Sequence, residues 1–359
     1  MKSSLKGLVL AGGKGLRLRP FTYTGAKQLV PIANKPILFY AIEQLVSAGV
    51  TELCIVVGET KDQIVDAVGD GSRFGASVTY LEQPVPKGIA HAVQIAQDFL
   101  GDDPFVLFLG DNFINDGIQP YVDRFLSERP NSLVLLCPVA DPRSVGVAEM
   151  DGERLVRVVE KPEVPPSDLA VIGIYFFDSH IFDALRNITP SARGELEITD
   201  TIQRLIDDGR DVRAEIIHGR WIDTGKHDDL LAANHLILEG LAPALLGHSD
   251  EQSRIQGSVT LQAGAEIVNS RIDGPAIIGE RTRIVDSHVG PFTSIDHDCL
   301  VIDTEISNSV VLEHTRIEHV SSRIERSLIG RNVKLLGQDQ RSRSYTLILG
   351  DFSELRTPE

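Results

Sequence analysis

The chain has 359 residues, a formal net charge of −16, and 42% hydrophobic to 24% charged residues. That length predicts two or three domains with ample core. An acidic balance with no Lys/Arg run excludes a duplex-binding or membrane-surface protein, yet leaves room for a few placed cations around a small phosphorylated ligand.

The segment Lys6–Ala11 is a short apolar run ending in glycines, which predicts a buried strand entering a loop. Residues 36–48 have helical spacing, with Ile37, Tyr40, Ala41, Leu45 and Ala48 on one face. Strands follow at 53–57, 77–81 and 105–109, separated by helices at 61–68 and 89–99. This order predicts an α/β fold: a mostly parallel, Rossmann-like sheet with helices on both faces. From about 120 to 240 the runs 132–137 and 171–177 continue the sheet; 191–199 reads as a loop and 200–207 as a helix. Cys54, Cys137 and Cys299 are odd in number and show no CxxC spacing, as expected of reduced thiols in a cytoplasmic protein. No stretch approaches the roughly 18 apolar residues of a membrane span.

Near residue 245 the composition changes. Between 251 and 340, Phe292 is the only Phe, Trp or Tyr and Lys334 the only lysine. Ile255, Leu261, Ile267, Ile272, Ile278, Ile284, Val289, Ile295 and Val301 recur every five to seven residues, and IVNSRI, IVDSHV, ISNSVV and IERSLI return at longer intervals. One aliphatic per short strand, around an interior too narrow for large rings, specifies a β-solenoid. The expected division is 1–241 and 250–350, and a chain cut near Leu241 keeps every motif described below.

The run Leu10, Ala11, Gly12, Gly13, Lys14, Gly15, Leu16, Arg17 follows the first strand. Its three glycines allow positive φ and close approach of N–H groups to an anion, and Arg17 can add a bidentate phosphate contact. It is not a P-loop, and Leu18 stands where a dinucleotide fingerprint needs glycine. Lys27, ten residues on, is placed to neutralise a leaving pyrophosphate. In Gly110-Asp111-Asn112, the aspartate sits at a strand end and suits Mg²⁺; Trp221-Ile222-Asp223-Thr224-Gly225 offers a second carboxylate. Glu160-Lys161-Pro162 pairs an acceptor for sugar hydroxyls with a cation for a phosphate.

In this order, LAGGKGLRLRPFT, GAKQLVPIANKP, GDN, EKP, RGELEITD and WIDTG resemble the sugar-phosphate nucleotidylyltransferases, in the long form with a C-terminal left-handed parallel β-helix. The resemblance implies that glucose 1-phosphate reacts with dTTP (or UTP) and pyrophosphate leaves, in deoxysugar synthesis by a cytoplasmic homo-oligomer. It implies that Arg17 and Lys27 hold the triphosphate, that Leu10, Ala11, Gly12, Gly13 and Asn112 contact substrate, and that Asp111 and Asp223 bind Mg²⁺. Gln83 would pair with the pyrimidine and Gly88 would let the base lie against the backbone. Gly146, Glu160, Val171, Tyr175 and Arg193 would line the sugar site, with Lys161 on the sugar's phosphate. The short-form members carry Thr where this chain has Leu16, and Gln where it has His91. Two other readings follow from the solenoid and the motifs: a bifunctional acyltransferase using His288, His297, His314 or His319, and a non-catalytic sugar-nucleotide sensor.

Overall fold

The structure is a computed structural model and describes residues 5–337 and 347–357. Its internal contacts form two compact units, Met1–Lys14 with Leu38–Asp223, and Gly15–Ile37 with Thr224–Glu359. These units follow contacts rather than covalent order, so they do not coincide with a division at 241.

The strands of the first unit are β1 (Lys6–Ala11), β2 (Glu52–Val57), β3 (Ser77–Glu82), β4 (Phe105–Leu109), β5 (Asn112–Ile114), β6 (Ser132–Pro138), β7 (Gly146–Asp151), β8 (Arg154–Glu160), β9 (Leu169–Phe177), β10 (Val212–Ile216) and β11 (Trp221–Asp223). The helices of the chain are α1 (Ile37–Ser47), α2 (Lys61–Val68), α3 (Ile89–Ile95), α4 (Gln97–Leu100), α5 (Gln119–Glu128), α6 (Ile181–Leu185), α7 (Ile198–Asp207) and α8 (His227–Gly240). The main sheet runs β8-β7-β9-β4-β1-β2-β3, and β6 and β10 extend it from β9. The ladder β4-β1-β2-β3 is parallel; β9 joins it antiparallel to β4 and pairs antiparallel with β6 and β7.

The parallel strands are near-continuous apolar runs because helices cover both faces. Leu8, Cys54, Val56 and Leu107 pack with Ala90 and Val93 of α3, Ile181 of α6 and Ile202 of α7. Toward the other face, a Cβ on Gly7 would lie 3.5 Å from Leu45 of α1. The helix expected over 89–99 is broken at Ala96 into α3 and α4, and α7 starts two residues before the expected 200. Among the described residues no helix is long and apolar enough to cross a membrane.

In the second unit three parallel sheets take strands in rotation, an arrangement consistent with a β-helix. The aliphatics stack into three columns: Ile255, Ile272, Val289, Ile306 and Ile324; Leu261, Ile278, Ile295, Val311 and Ile329; Ile267, Ile284, Val301, Ile317 and Leu335. Residues 338–346 of the expected 250–350 stretch lie outside the described residues. The repeated hexapeptides turn the corners. Asn269, Asp286, Asn308 and Arg326, third in their respective pieces, all have φ between 43° and 50°. Asn and Asp tolerate this left-handed region better than most residues, which explains their recurrence there. At the corner next to Asn269 the hydroxyls of Ser253, Ser270 and Ser287 accept from the N–H of Ser270, Ser287 and Thr304 at 3.0–3.1 Å, binding coil to coil.

The segment 15–37 belongs to this second unit. Asn34 Nδ2 donates to the Ile295 carbonyl at 2.8 Å. The buried Asn234 of α8 accepts from Ala33 N–H and Ser294 Oγ, and donates to the Phe292 carbonyl. Ala33, Leu238 and Ile277 form an apolar cluster, and Thr24 hydrogen-bonds Asp351.

Candidate active site

The carboxyl ends of the parallel strands set the stage. Leu10 and Ala11 close β1, and Gly12 and Gly13 follow; Gly110, after β4, donates its N–H to the Leu10 carbonyl at 2.9 Å. Of the three loop glycines, Gly15 alone takes a positive φ, 60°. The close approach here constrains Gly58 rather than Gly12: a Cβ added to Gly58 would meet the Gly12 carbonyl at 2.8 Å, whereas one on Gly12 would find nothing nearer than 3.4 Å.

A short ladder brings the chain positions of the two expected metal-binding aspartates near each other. Strand β5 pairs antiparallel with β11, and Asp223 stands opposite Asn112, next to Asp111. Asn112 is 2% exposed. Its Oδ1 accepts from Trp221 Nε1 at 2.6 Å and from Gly173 N–H at 3.2 Å, while its Nδ2 donates to Asp111 Oδ1 at 3.0 Å. Asn112 therefore orients Asp111 from inside the protein. Gly173 is fixed by this contact, since a Cβ there would lie 2.6 Å from Asn112 Oδ1. Aspartates at neighbouring positions by a strand end offer hard oxygen donors, the chemistry that suits a small divalent cation.

A cleft of about 670 Å³ holds Glu160, Lys161 and Arg193, with Glu197 and Asp200 in its wall. Arg193 Nη2 lies 3.1 Å from Glu160 Oε1 and 2.8 Å from Glu197 Oε1, and Lys161 Nζ lies 3.4 Å from Glu160 Oε1. Thr199 Oγ1 donates to Glu160 Oε2 at 3.2 Å. Gly146 is held to hydrogen: a Cβ would come within 2.7 Å of Thr199 Cγ2, 3.4 Å of Glu160 Oε2 and 3.6 Å of Val171 Cβ. Gly146, Glu160 and Val171 thus meet in the structure. Burial, then the charges of Glu160 and Asp223, push the Tyr175 hydroxyl well above its ordinary range. Burial, then Glu197 and Glu160, also raise Asp200. Glu197, Thr199 and Asp200 were not singled out from the sequence, although all three stand in RGELEITD beside Arg193.

Gln83 follows β3, its N–H on the Val57 carbonyl at 2.8 Å. The loop after it is tied to the 195–197 region, Leu196 N–H donating to Lys87 O and Ala90 N–H to Leu196 O. Gly88 has φ 97°, and a Cβ there would lie 2.3 Å from the Leu196 carbonyl oxygen. Its smallness therefore serves this backbone crossing. Gly88→Ala is expected to cost about 1–3 kcal/mol of strain, visible as a lowered melting temperature; an unchanged melting curve would mean the crossing relaxes freely.

In the second unit, Arg17 lies in a single 3₁₀ turn, Leu16–Leu18, and Lys27, 8% exposed, opens another, Lys27–Leu29. A Cβ on Gly15 would come within 2.9 Å of Lys27 Cβ and of Thr22 Cγ2. Thr22 Oγ1 closes this turn on the Gly15 carbonyl at 2.7 Å. Of the solenoid histidines, His288 faces Asp273 at 2.8 Å, His297 faces Asp298 at 2.7 Å and His319 faces Asp303 at 3.2 Å, whereas His314 packs edge-on against His297.

A nucleotidyl transferase family model matches residues 6–240. A glucose-1-phosphate thymidylyltransferase of Streptomyces griseus is 51% identical over 350 residues, covering 97% of this chain and 98% of that protein. The low-salt glycan biosynthesis nucleotidyltransferase Agl11 of Haloferax volcanii is 40% identical over 357 residues, 98% of this chain and 100% of its own. A crystal structure of UDP-glucose pyrophosphorylase complexed with UDP-glucose superposes with a TM-score of 0.61 at 26% identity, covering 66% of this chain and 100% of that one.

Proposed function

The chain belongs to the nucleotidyl transferase family, and on that premise we propose that it transfers a thymidylyl group from dTTP to glucose 1-phosphate, giving dTDP-glucose and pyrophosphate. One observation carries the reading: strand β9 touches both places, Val171 lying against Gly146 in the Glu160 wall and Gly173, two residues on, donating to the Asn112 that holds Asp111, which supports a sugar phosphate in the cleft with its reactive end toward the aspartates. The near full-length identity to the Streptomyces griseus thymidylyltransferase supports the choice of substrates.

The attacking group is a phosphate oxygen of glucose 1-phosphate, ionised at neutral pH. It forms a bond to the α-phosphorus of dTTP as the bond from that phosphorus to the bridging oxygen breaks, and pyrophosphate leaves with the electron pair. No base or covalent nucleophile is required; the enzyme acts by positioning and charge stabilisation. Asp111 and Asp223 would hold Mg²⁺, which when bound neutralises phosphate charge. In this reading Arg17 and Lys27 carry the triphosphate, with Leu10, Ala11, Gly12 and Gly13 beside the nucleotide. Glu160, Gly146, Val171, Tyr175 and Arg193 take the sugar, Lys161 its phosphate, and Gln83 the base. We further propose a catalytic segment 1–241, a left-handed β-helix over 250–350, a cytoplasmic homo-oligomer and a place in deoxysugar synthesis. A UTP-dependent enzyme is the second reading, favoured by the likeness to UDP-glucose pyrophosphorylase, since thymine and uracil share the edge that Gln83 would read.

The test is pyrophosphate release over four triphosphates and several sugar 1-phosphates; the highest kcat/KM with dTTP and glucose 1-phosphate is expected, and preference for UTP or another sugar would replace this pairing. Lys161→Ala should raise the KM for glucose 1-phosphate more than that for dTTP, and Lys27→Ala the reverse. If the two variants exchanged effects, their assignments would be exchanged too.

A further inference from the structure

Gln83 has its carboxamide already engaged within the protein. Its Nε2 lies 2.9 Å from His91 Nδ1 and 3.2 Å from the Gly88 carbonyl oxygen. A carbonyl oxygen can only accept, so the Gly88 contact fixes the NH₂ end of the amide on this side. His91 Nδ1, facing the same NH₂, must then also accept, which puts the imidazole proton on Nε2. The carboxamide oxygen is the end left for a ligand.

We propose that His91 is a positioning residue for base choice: it holds the Gln83 carboxamide so that its oxygen, and not its NH₂, is offered to the nucleotide base. This rests on the reading that Gln83 faces the base. Thymine and uracil carry a proton on N3 and pair with an offered oxygen. Cytosine carries a lone pair at N3, which that oxygen repels. The same carboxamide turned over would offer NH₂ and welcome cytosine, so a freely rotating Gln83 discriminates poorly. Discrimination at such a site comes from leaving the wrong ligand's polar atom opposed or unpaired.

The arrangement requires a neutral imidazole. Burial, then the nearby Lys87 ammonium, lower the His91 pKa from its usual 6.5. The accepting form is therefore present at neutral pH and is lost as pH falls through that depressed value. Protonation puts a proton on Nδ1, opposite the Gln83 NH₂; two donors then face each other and the amide is driven to turn over.

The experiment measures kcat/KM for dTTP and dCTP with glucose 1-phosphate across about pH 5.5–8, on full-length wild type, His91→Ala, His91→Gln and Gln83→Ala. In wild type the dTTP/dCTP ratio should fall toward acid, with its midpoint below 6.5. His91→Ala should lower the ratio about tenfold or more at neutral pH, mainly through KM. His91→Gln should restore the ratio and make it independent of pH, because a side-chain amide oxygen accepts from Gln83 at every pH. An unchanged ratio in His91→Ala, or an equal loss in His91→Gln, would overturn the role of His91. The Gln83→Ala variant separates the two levels of the argument. If it keeps the ratio, the base is read elsewhere and the Gln83 assignment fails; if it loses the ratio while His91→Ala keeps it, His91 alone fails.

Discussion

Asp111→Asn is expected to lower kcat by about 10²-fold or more at saturating Mg²⁺, while the melting temperature stays close to wild type. The substitution keeps the side chain's shape and removes its charge. Asp111 is anchored by Asn112 Nδ2 at 3.0 Å, and Asn112 is itself locked by Trp221 and Gly173. The scaffold behind the carboxylate therefore survives the change, and the loss falls on cation binding and on charge stabilisation in the transition state. Asp223→Asn should behave alike, because β11 sets it opposite Asn112, the neighbour of Asp111. Equilibrium dialysis with Mn²⁺ and nucleotide gives a second readout, in which both variants should retain less metal. A near-normal kcat with saturating Mg²⁺ in either variant would remove that residue from the metal site.

A chain ending at residue 241 is expected to lose nearly all turnover, by about 10²-fold or more in kcat/KM for the nucleotide. Every site residue is still present in such a chain. The supporting contacts are not. Segment 15–37, which carries Arg17 and Lys27, leans on residues the cut removes: Asn34 on Ile295, Ala33 and Leu238 on Ile277, Thr24 on Asp351. The cut also strips Phe292 and Ser294 from the buried Asn234. Each hydrogen bond is worth about 1 kcal/mol and each buried aliphatic about 1.5–3 kcal/mol, ample to release so short a segment. Kinetics and melting curves of the fragment against the full chain decide it, with Asn34→Ala in the full chain as a milder companion. A fragment with wild-type kcat/KM would show that 15–37 holds its place without the solenoid.

The parallel strands were legible because burial on both faces writes a plain apolar run, as at Leu53–Val57 within β2. The solenoid was legible because its narrow interior excludes aromatics and repeats one aliphatic per strand. The β5–β11 ladder was not: three residues carry no period, and Trp221 finds Ile114 across more than a hundred positions. The start of α7 was missed because Glu197, its N-cap residue, does not cap by side chain; its carboxylate is taken by Arg193 and Ser191. Asp111, Asp223, Glu160 and Lys161 stood out by chemistry and neighbours. Gly146, Val171 and Tyr175 look like ordinary sheet residues, and only the family resemblance pointed to them. The allegiance of 15–37 is invisible locally, since nothing in a loop's own residues names a partner hundreds of positions away.

That allegiance has a consequence for how the protein is made. Asn34 meets Ile295 across 261 positions and Thr24 meets Asp351 across 327. At roughly 5–20 residues per second, a ribosome takes on the order of 15–60 seconds to deliver those partners after the segment emerges. During that interval residues 15–37 have no second unit to join, and Phe21, Val30 and Ile32, buried in the finished protein, have no finished core to enter. The segment can thus reach its place only after the far end of the chain has been made, so its docking is a late event of synthesis.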